Sequence, residues 1–86
     1  MTTRVQRIEA ALRAAFPDCT VTVEDQSHLH AGHAGAASGR GHFKVQVLSS
    51  SFAGLPLLAR HRAVYAAMGD LMQTDIHALA IDAKVA

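Results

Sequence analysis

Residues 26–41 form a Gly- and His-rich stretch between two segments that alternate apolar and polar residues, and this stretch limits how the chain can fold. It contains four of the six glycines and three of the six histidines, namely His28, His30 and His33. Glycine and other small residues give the backbone freedom and do not favour the tight turn of a short hairpin. Because a compact domain rarely keeps so long a loop without a use, the stretch is also a candidate binding site.

The segments on either side predict two β-strands, residues 19–25 and 42–50, each with apolar residues on one face. Sequential strands joined by a long loop are expected to pair antiparallel. Cys19 alternates with valines, so we expect a small core residue rather than a reactive thiol. The apolar face of the two strands comprises Cys19, Val21, Val23, Phe43, Val45 and Val47.

A first helix is predicted over residues 3–16, because apolar residues recur there at helical spacing. Thr3 and Gln6 match a capping box, in which each side chain satisfies a backbone N–H of the other residue. Pro17 ends the helix. Three arginines on its polar faces form either a basic surface or an ordinary solvated surface: Arg4, Arg7 and Arg13.

The second half of the chain predicts a short helical turn over residues 52–55 and a longer helix over residues 56–75, with Pro56 at its first position. Gly69 lies inside that helix, where it costs about 1 kcal/mol relative to Ala, so we expect a close packing contact there. The apolar stripe of the long helix comprises Leu57, Leu58, His61, Val64, Tyr65, Met68, Leu71 and Met72.

Residues 76–83 predict a third strand, whose alternation places His77 and Leu79 on the face opposite Ile76. The helical crossover between the second and third strands favours a parallel pair. The predicted fold class is therefore α+β, a two-layer sandwich with the order α-β-β-α-α-β and a three-stranded mixed sheet. Because parallel strands start at the same edge, His77, His42 and the Gly-rich stretch are expected to lie together.

Length and composition add further limits. The chain has 86 residues, which predicts one domain over residues 1–86. Its formal net charge of +1 is too small to indicate a nucleic-acid partner by itself. The single cysteine excludes an internal disulfide and fits a reducing compartment. No signal peptide and no long apolar run is visible, so we expect a cytosolic protein that does not enter a membrane.

The histidines of the loop follow the spacing H-x-H-x-x-H, which alone is a weak signal for metal binding. His77 strengthens the signal because the parallel strands bring it to the same edge. A structural zinc site usually includes cysteines, and an iron–sulfur cluster normally needs four. If an iron–sulfur cluster binds here, another molecule must supply thiolates, while histidine can replace thiolate on one iron. Binding of a simple divalent metal by the loop is an alternative.

Other functional classes find less support in the sequence. No nucleophile with a base and an orienting carboxylate, no phosphate-binding loop and no dinucleotide fingerprint is visible, so we do not expect an enzyme. His61 is expected to be a half-buried structural residue that orders the long helix. Alternatively, Arg60, His61 and Arg62 lie on a surface that meets a phosphate backbone or an acidic partner. His42 is expected to be an ordinary strand-edge residue.

Five blocks of this sequence closely resemble the BolA-like proteins, and they span nearly the whole chain after the first helix. The resemblance implies an α-β-β-α-α-β fold related to the class II KH domain, in agreement with the pattern of elements. The order and spacing of the blocks are specific. The blocks are residues 23–33 (VEDQSHLHAGH), 42–45 (HFKV), 49–54 (SSSFAG), 60–65 (RHRAVY) and 76–79 (IHAL).

The same resemblance implies a partner and a cofactor. BolA-like proteins pair with monothiol glutaredoxins and share a [2Fe-2S] cluster with them, held on the other side by a glutaredoxin cysteine and a glutathione thiol. By this resemblance the ligands from this chain are His77 and, from the loop, His30, with His33 as a competitor. The implied role is in iron–sulfur or iron homeostasis, with the apo form a monomer or weak homodimer.

The family is also described as transcriptional regulators, which implies DNA binding through the helix-turn-helix-like region as an alternative. The candidate residues would be Arg60, Arg62 and Lys44. A KH domain grips the nucleic-acid backbone with a GXXG loop between two helices. Here the only such sequence, residues 32–35, lies between two predicted strands, and between the helices there is only Gly54.

Overall fold

The computed structural model describes residues 3–27 and 41–86. Within them, helices pack on one face of a three-stranded sheet and leave the other face open. No helix in these two ranges is long and apolar enough to cross a membrane. The elements are α1 (Arg4–Ala15), β1 (Thr20–Asp25), β2 (Gly41–Leu48), a 3-10 turn (Ser50–Phe52), α2 (Leu57–Met68), α3 (Leu71–Thr74) and β3 (Ile76–Lys84).

The sheet has the strand order β1-β2-β3. β1 and β2 are antiparallel, with Asp25 opposite Phe43 at one end and Thr20 opposite Leu48 at the other. β2 and β3 are parallel, and the helices between them supply the crossover that a parallel pair requires. The predicted α+β sandwich with a mixed sheet is therefore confirmed.

The core lies between the helices and the inner face of the sheet. Alternation along β2 buries every second residue, because successive side chains of a strand point to opposite faces. Cys19 packs against this core, as predicted from its alternation with valines. The buried apolar residues are Ile8, Leu12, Phe16, Phe43, Val45, Val47, Phe52, Val64, Met68, Ile76 and Ala83.

The start of α1 matches the sequence prediction. The Gln6 backbone N–H donates to the Thr3 hydroxyl at 3.1 Å, and the Thr3 N–H donates to the Gln6 side-chain oxygen at 2.8 Å. This capping box satisfies two backbone donors that a helix start would otherwise leave exposed. It also fixes the turn that carries Arg4 and Arg7.

The long helix predicted over residues 56–75 is interrupted, which corrects the sequence prediction. Gly69 adopts a φ of 53° and ends α2, and α3 follows as a single turn. A Cβ at Gly69 would meet open space, so the expected packing contact is wrong. The glycine is needed for its left-handed backbone instead, which other residues adopt only with strain.

The predicted apolar stripe of α2 is also wrong at its start and at Tyr65, which is 43% exposed. Leu57 and Leu58 are 62% and 61% exposed, whereas Val64 and Met68 are buried. The first turn of α2 therefore lies outside the core. The Arg60 guanidinium donates to the carbonyl of Leu55 at 2.8 Å and to that of Ala83 at 3.3 Å.

The 3-10 turn after β2 is held by Asp18, which follows α1. The buried Ser49 hydroxyl donates to Asp18 at 2.8 Å, and both the N–H and the hydroxyl of Ser50 also donate to this carboxylate. These hydrogen bonds, from the Ser50 hydroxyl first and from Ser49 second, lower the pKa of Asp18 below its ordinary value of 3.8. The sequence predicted a turn near this point, over residues 52–55, and the structure places it slightly earlier.

This pKa shift predicts a pH dependence of stability. A carboxyl group whose pKa is lower in the folded chain stabilises the fold above its unfolded pKa, and that contribution is lost as the pH falls through the folded value. Asp18→Asn should therefore be less stable than the wild type above about pH 5, and the difference should narrow below about pH 4. Urea unfolding across this pH range measures the difference in stability between Asp18→Asn and the wild type. A difference that stays constant down to low pH would contradict the lowered pKa of Asp18.

Candidate functional site

The start of β3 contains a β-bulge at His77. Gly41 pairs with Ile76, but the next pair is His42 with Ala78, so His77 is an extra residue on β3. A bulge shifts the alternation of side chains by one position. Ile76 therefore stays in the core together with Leu79, and His77 is exposed. The predicted alternation, with His77 and Leu79 on one face and Ile76 on the other, is wrong for this reason.

His77 lies beside His42 at this edge of the sheet. The centroids of the two imidazole rings are 5.2 Å apart, with an angle of 54° between the ring planes. His42 is half-buried and its Nε2 atom is inaccessible to solvent, whereas the His77 side chain is exposed. His42 was expected to be an ordinary strand-edge residue, although the predicted parallel register already indicated its closeness to His77.

Both ends of the Gly-rich stretch lie at the same edge. The Ser27 hydroxyl accepts a hydrogen bond from the His42 N–H at 3.1 Å, and the Gln26 N–H donates to the His42 carbonyl at 2.8 Å. A Cβ on Gly41 would lie only 2.6 Å from the Ser27 hydroxyl, so glycine permits this close approach. The predicted ligands His30 and His33, and also His28, lie outside the described residues.

Asp75, the residue before β3, links this edge to α1. Its carboxylate accepts from Arg4 Nε at 3.3 Å, from Arg7 Nε at 3.2 Å and from Arg7 Nη2 at 3.3 Å. Partial burial acts to raise the pKa of Asp75, but the hydrogen bonds and charges of Arg7 and Arg4 outweigh it and keep the pKa below 3.8. Neither of the two sequence interpretations of these arginines included this contact.

The imidazoles of His42 and His77 lie at this edge without a nearby thiol, and the Asp75 carboxylate is held by Arg4 and Arg7. Cys19 precedes Thr20, which pairs with Leu48 at the opposite end of the sheet. Its thiol lies 3.8 Å from the Leu12 carbonyl, where it is a weak donor. No group of three or more His, Cys, Asp or Glu side chains that could hold a metal exists in residues 3–27 and 41–86. This donor set fits a metal group that takes one or two imidazoles here and its remaining ligands from another molecule.

A groove of about 270 Å³ lies beside the two histidines, on the face of the sheet away from the helices. Small alanine side chains on β3 leave this space open. The groove is lined by Gln26, His42, Phe43, Ala78, Leu79 and Ala80.

The basic residues predicted for nucleic acid do not share one surface. Arg62 is exposed on α2. Arg60 is half-buried and directs its guanidinium to two backbone carbonyls, as described above. Lys44 lies between the buried Phe43 and Val45 on β2, so it points to the open face of the sheet, away from the helices. The structure therefore separates Lys44 from Arg62.

His61, predicted to be structural, is half-buried one turn before the buried Val64. Its neighbour Arg60 contacts Ala83 near the end of β3, whereas His77 lies at the start of that strand. His61 is therefore placed away from the His42–His77 edge. Its structural role stays a prediction.

Comparisons with known proteins give a consistent picture. The model of the BolA-like protein family matches residues 12–86. The chain is 42% identical over 76 residues to the DNA-binding transcriptional regulator BolA of Escherichia coli, covering 88% of this chain and 70% of that protein. It is 36% identical over 84 residues to the chloroplastic protein BOLA1 of Arabidopsis thaliana, covering 94% of this chain and 52% of that protein. It thus spans about half of the second relative.

The fold is matched by solved structures as well. The BolA domain of SufE1 from Arabidopsis thaliana superimposes with a TM-score of 0.83 at 34% sequence identity. The match covers 99% of this chain and 94% of that domain. The arrangement of helices and strands described above is therefore also found in an experimentally characterised relative.

Proposed function

Because the chain belongs to the BolA-like protein family, we propose that it binds a monothiol glutaredoxin and shares a [2Fe-2S] cluster with it, in a non-enzymatic role in iron–sulfur or iron homeostasis. The observation that carries the proposal is the exposed His77, which a β-bulge presents beside His42 at an edge without a thiol. An incomplete donor set on an accessible edge is what a site completed by another protein needs.

In this proposal the residues of the chain have separate roles. His77 contributes one imidazole ligand, and His30 or His33 contributes a second from the segment whose two ends are anchored at this edge. His42 packs against His77 and limits the positions of its ring. The partner cysteine and glutathione supply the thiolates. The cluster, when bound, supplies one-electron chemistry, and histidine ligation raises its reduction potential relative to an all-thiolate cluster.

Reconstitution with a monothiol glutaredoxin tests the proposal. The full chain, the glutaredoxin, glutathione, iron and sulfide are combined without oxygen, and the products are separated by size. We expect a heterocomplex whose visible absorption and circular dichroism differ from those of the glutaredoxin cluster alone, because imidazole replaces thiolate. Separate elution of the two proteins, with an unchanged glutaredoxin spectrum, would contradict the proposal.

DNA binding is the second candidate, favoured by the name of the Escherichia coli relative and by the exposed Arg62 on α2. If α2 meets the phosphate backbone, Arg62→Ala should weaken binding to all sequences and lower the salt slope of log K by about 1. Arg13→Ala is the matched control, since Arg13 is an exposed arginine on α1. Equal affinities of the two variants across salt concentrations would remove this candidate.

A further inference from the structure

The bulge at His77 must be held on both sides, because a strand can otherwise slip by one residue. After the bulge, a regular parallel ladder runs from the pair His42–Ala78 to the pair Leu48–Lys84. Before the bulge, one pair remains, Gly41 with Ile76. A one-residue slip exchanges the two faces of a strand, so it would move Ile76 out of the core or place His77 in the ladder.

On the side before the bulge, Asp75 is held by three sets of hydrogen bonds. Its carbonyl accepts the Gly41 N–H at 2.9 Å, and its N–H donates to the Leu71 carbonyl at 2.9 Å. Its carboxylate forms salt bridges with Arg4 and Arg7. The Asp75 side chain is 14% exposed, and each arginine side chain is 39% exposed. The two arginines lie three positions apart, and therefore on one face of α1. The contact joins the first turn of α1 to the residue that precedes β3.

We propose that Arg4 and Arg7, acting through Asp75, are positioning residues that hold the bulge in the register that exposes His77. The significance of this clamp, defined as Arg4, Arg7 and Asp75, rests on the proposed function, but its geometry does not. The clamp joins the residue two positions before His77 to the first turn of α1. The capping box of Thr3 and Gln6 supports it by ordering the turn that carries both arginines.

The test measures the NMR resonances and the amide exchange of His77 in the apo protein. In Asp75→Ala and Arg7→Ala, we expect new or doubled resonances for the His77 ring and backbone. Amide exchange at residues 77–79 should be at least about tenfold faster, with exchange at the centre of β2 unchanged. Arg7→Lys should restore part of the protection because it keeps a positive charge at this position.

Three control variants distinguish a specific effect on the position of His77 from a general loss of stability. Asp70→Ala removes a carboxylate that does not cap α3, and Arg13→Ala removes an exposed arginine of α1. Val47→Ala lowers the overall stability by about 1–3 kcal/mol, because it truncates a buried side chain at the end of β2 far from His77. Unchanged His77 resonances in Asp70→Ala and Arg13→Ala support the proposal. If Val47→Ala reproduces the full effect of Asp75→Ala at a matched loss of stability, or if Asp75→Ala leaves His77 unchanged, the proposal is overturned.

The cluster spectrum gives a second readout that distinguishes the two proposals. If the wild type forms the heterocomplex, Asp75→Ala should alter its circular dichroism while Asp70→Ala does not, and an identical spectrum would overturn the positioning role. If the wild type forms no heterocomplex, the proposed function fails. The NMR comparison in the apo protein still decides whether the clamp holds the bulge.

Discussion

Replacing Phe52 with alanine should lower the free energy of unfolding by about 3–5 kcal/mol. The Phe52 side chain is fully buried, and its ring lies 5.0 Å from that of Phe16 at an angle of 55°. Removing it leaves a cavity between the 3-10 turn and the end of α1, in addition to the lost transfer energy. Because a domain of this size has a total free energy of unfolding of only about 5–10 kcal/mol, the substitution would remove a large part of its stability.

Urea unfolding followed by circular dichroism measures the effect. Leu58→Ala is the control, because this large apolar side chain is mostly exposed at the start of α2 and should change stability by less than about 0.5 kcal/mol. Similar losses in the two variants would show that the core is not where the structure places it. The comparison also tests the correction to the predicted stripe of α2, which had placed Leu58 in the core.

The features that the sequence predicted correctly depend on short-range patterns. The capping box at Thr3, the alternation of Cys19 with valines and the apolar face of β2 each follow from spacings of a few residues. The parallel pairing of β2 and β3 follows from the length of the connection. These patterns are enough for the α+β class and for the common edge of His42 and His77.

The features that it missed depend on long-range contacts or on exact register. Asp75 is 68 and 71 positions from the arginines that bind it. The bulge at His77 depends on how β3 pairs with β2, which local alternation does not report. Arg60 looked like a surface cation, but its guanidinium donates to the nearby Leu55 carbonyl and to the Ala83 carbonyl, 23 positions away. Gly69 had a visible signal, since a glycine within a helical pattern can also mark the helix end.

Replacement of His77 should have the largest effect on the proposed shared cluster. Its imidazole is exposed at the bulge, and the only cysteine of the chain lies at the other end of the sheet. Changing residues that merely support a metal ligand typically costs about 10–100-fold in affinity, so loss of a direct ligand should cost at least as much. His30→Ala and His33→Ala then decide which of the two loop candidates is the second ligand.

His61→Ala is the matched control for this replacement. It also removes an imidazole, but from α2. The neighbouring Arg60 contacts the end of β3 far from His77. We therefore expect it to leave the ligand set intact, even if it lowers the stability of the helix. Unfolding curves of both variants separate loss of the ligand from loss of the fold.

The most direct measurement is the visible circular dichroism of the heterocomplex with a monothiol glutaredoxin, recorded in parallel for the wild type, His77→Ala and His61→Ala. We predict that His61→Ala keeps the wild-type spectrum, while His77→Ala loses it and leaves only the spectrum of the glutaredoxin cluster. A folded His77→Ala protein that retains the wild-type spectrum would contradict the account.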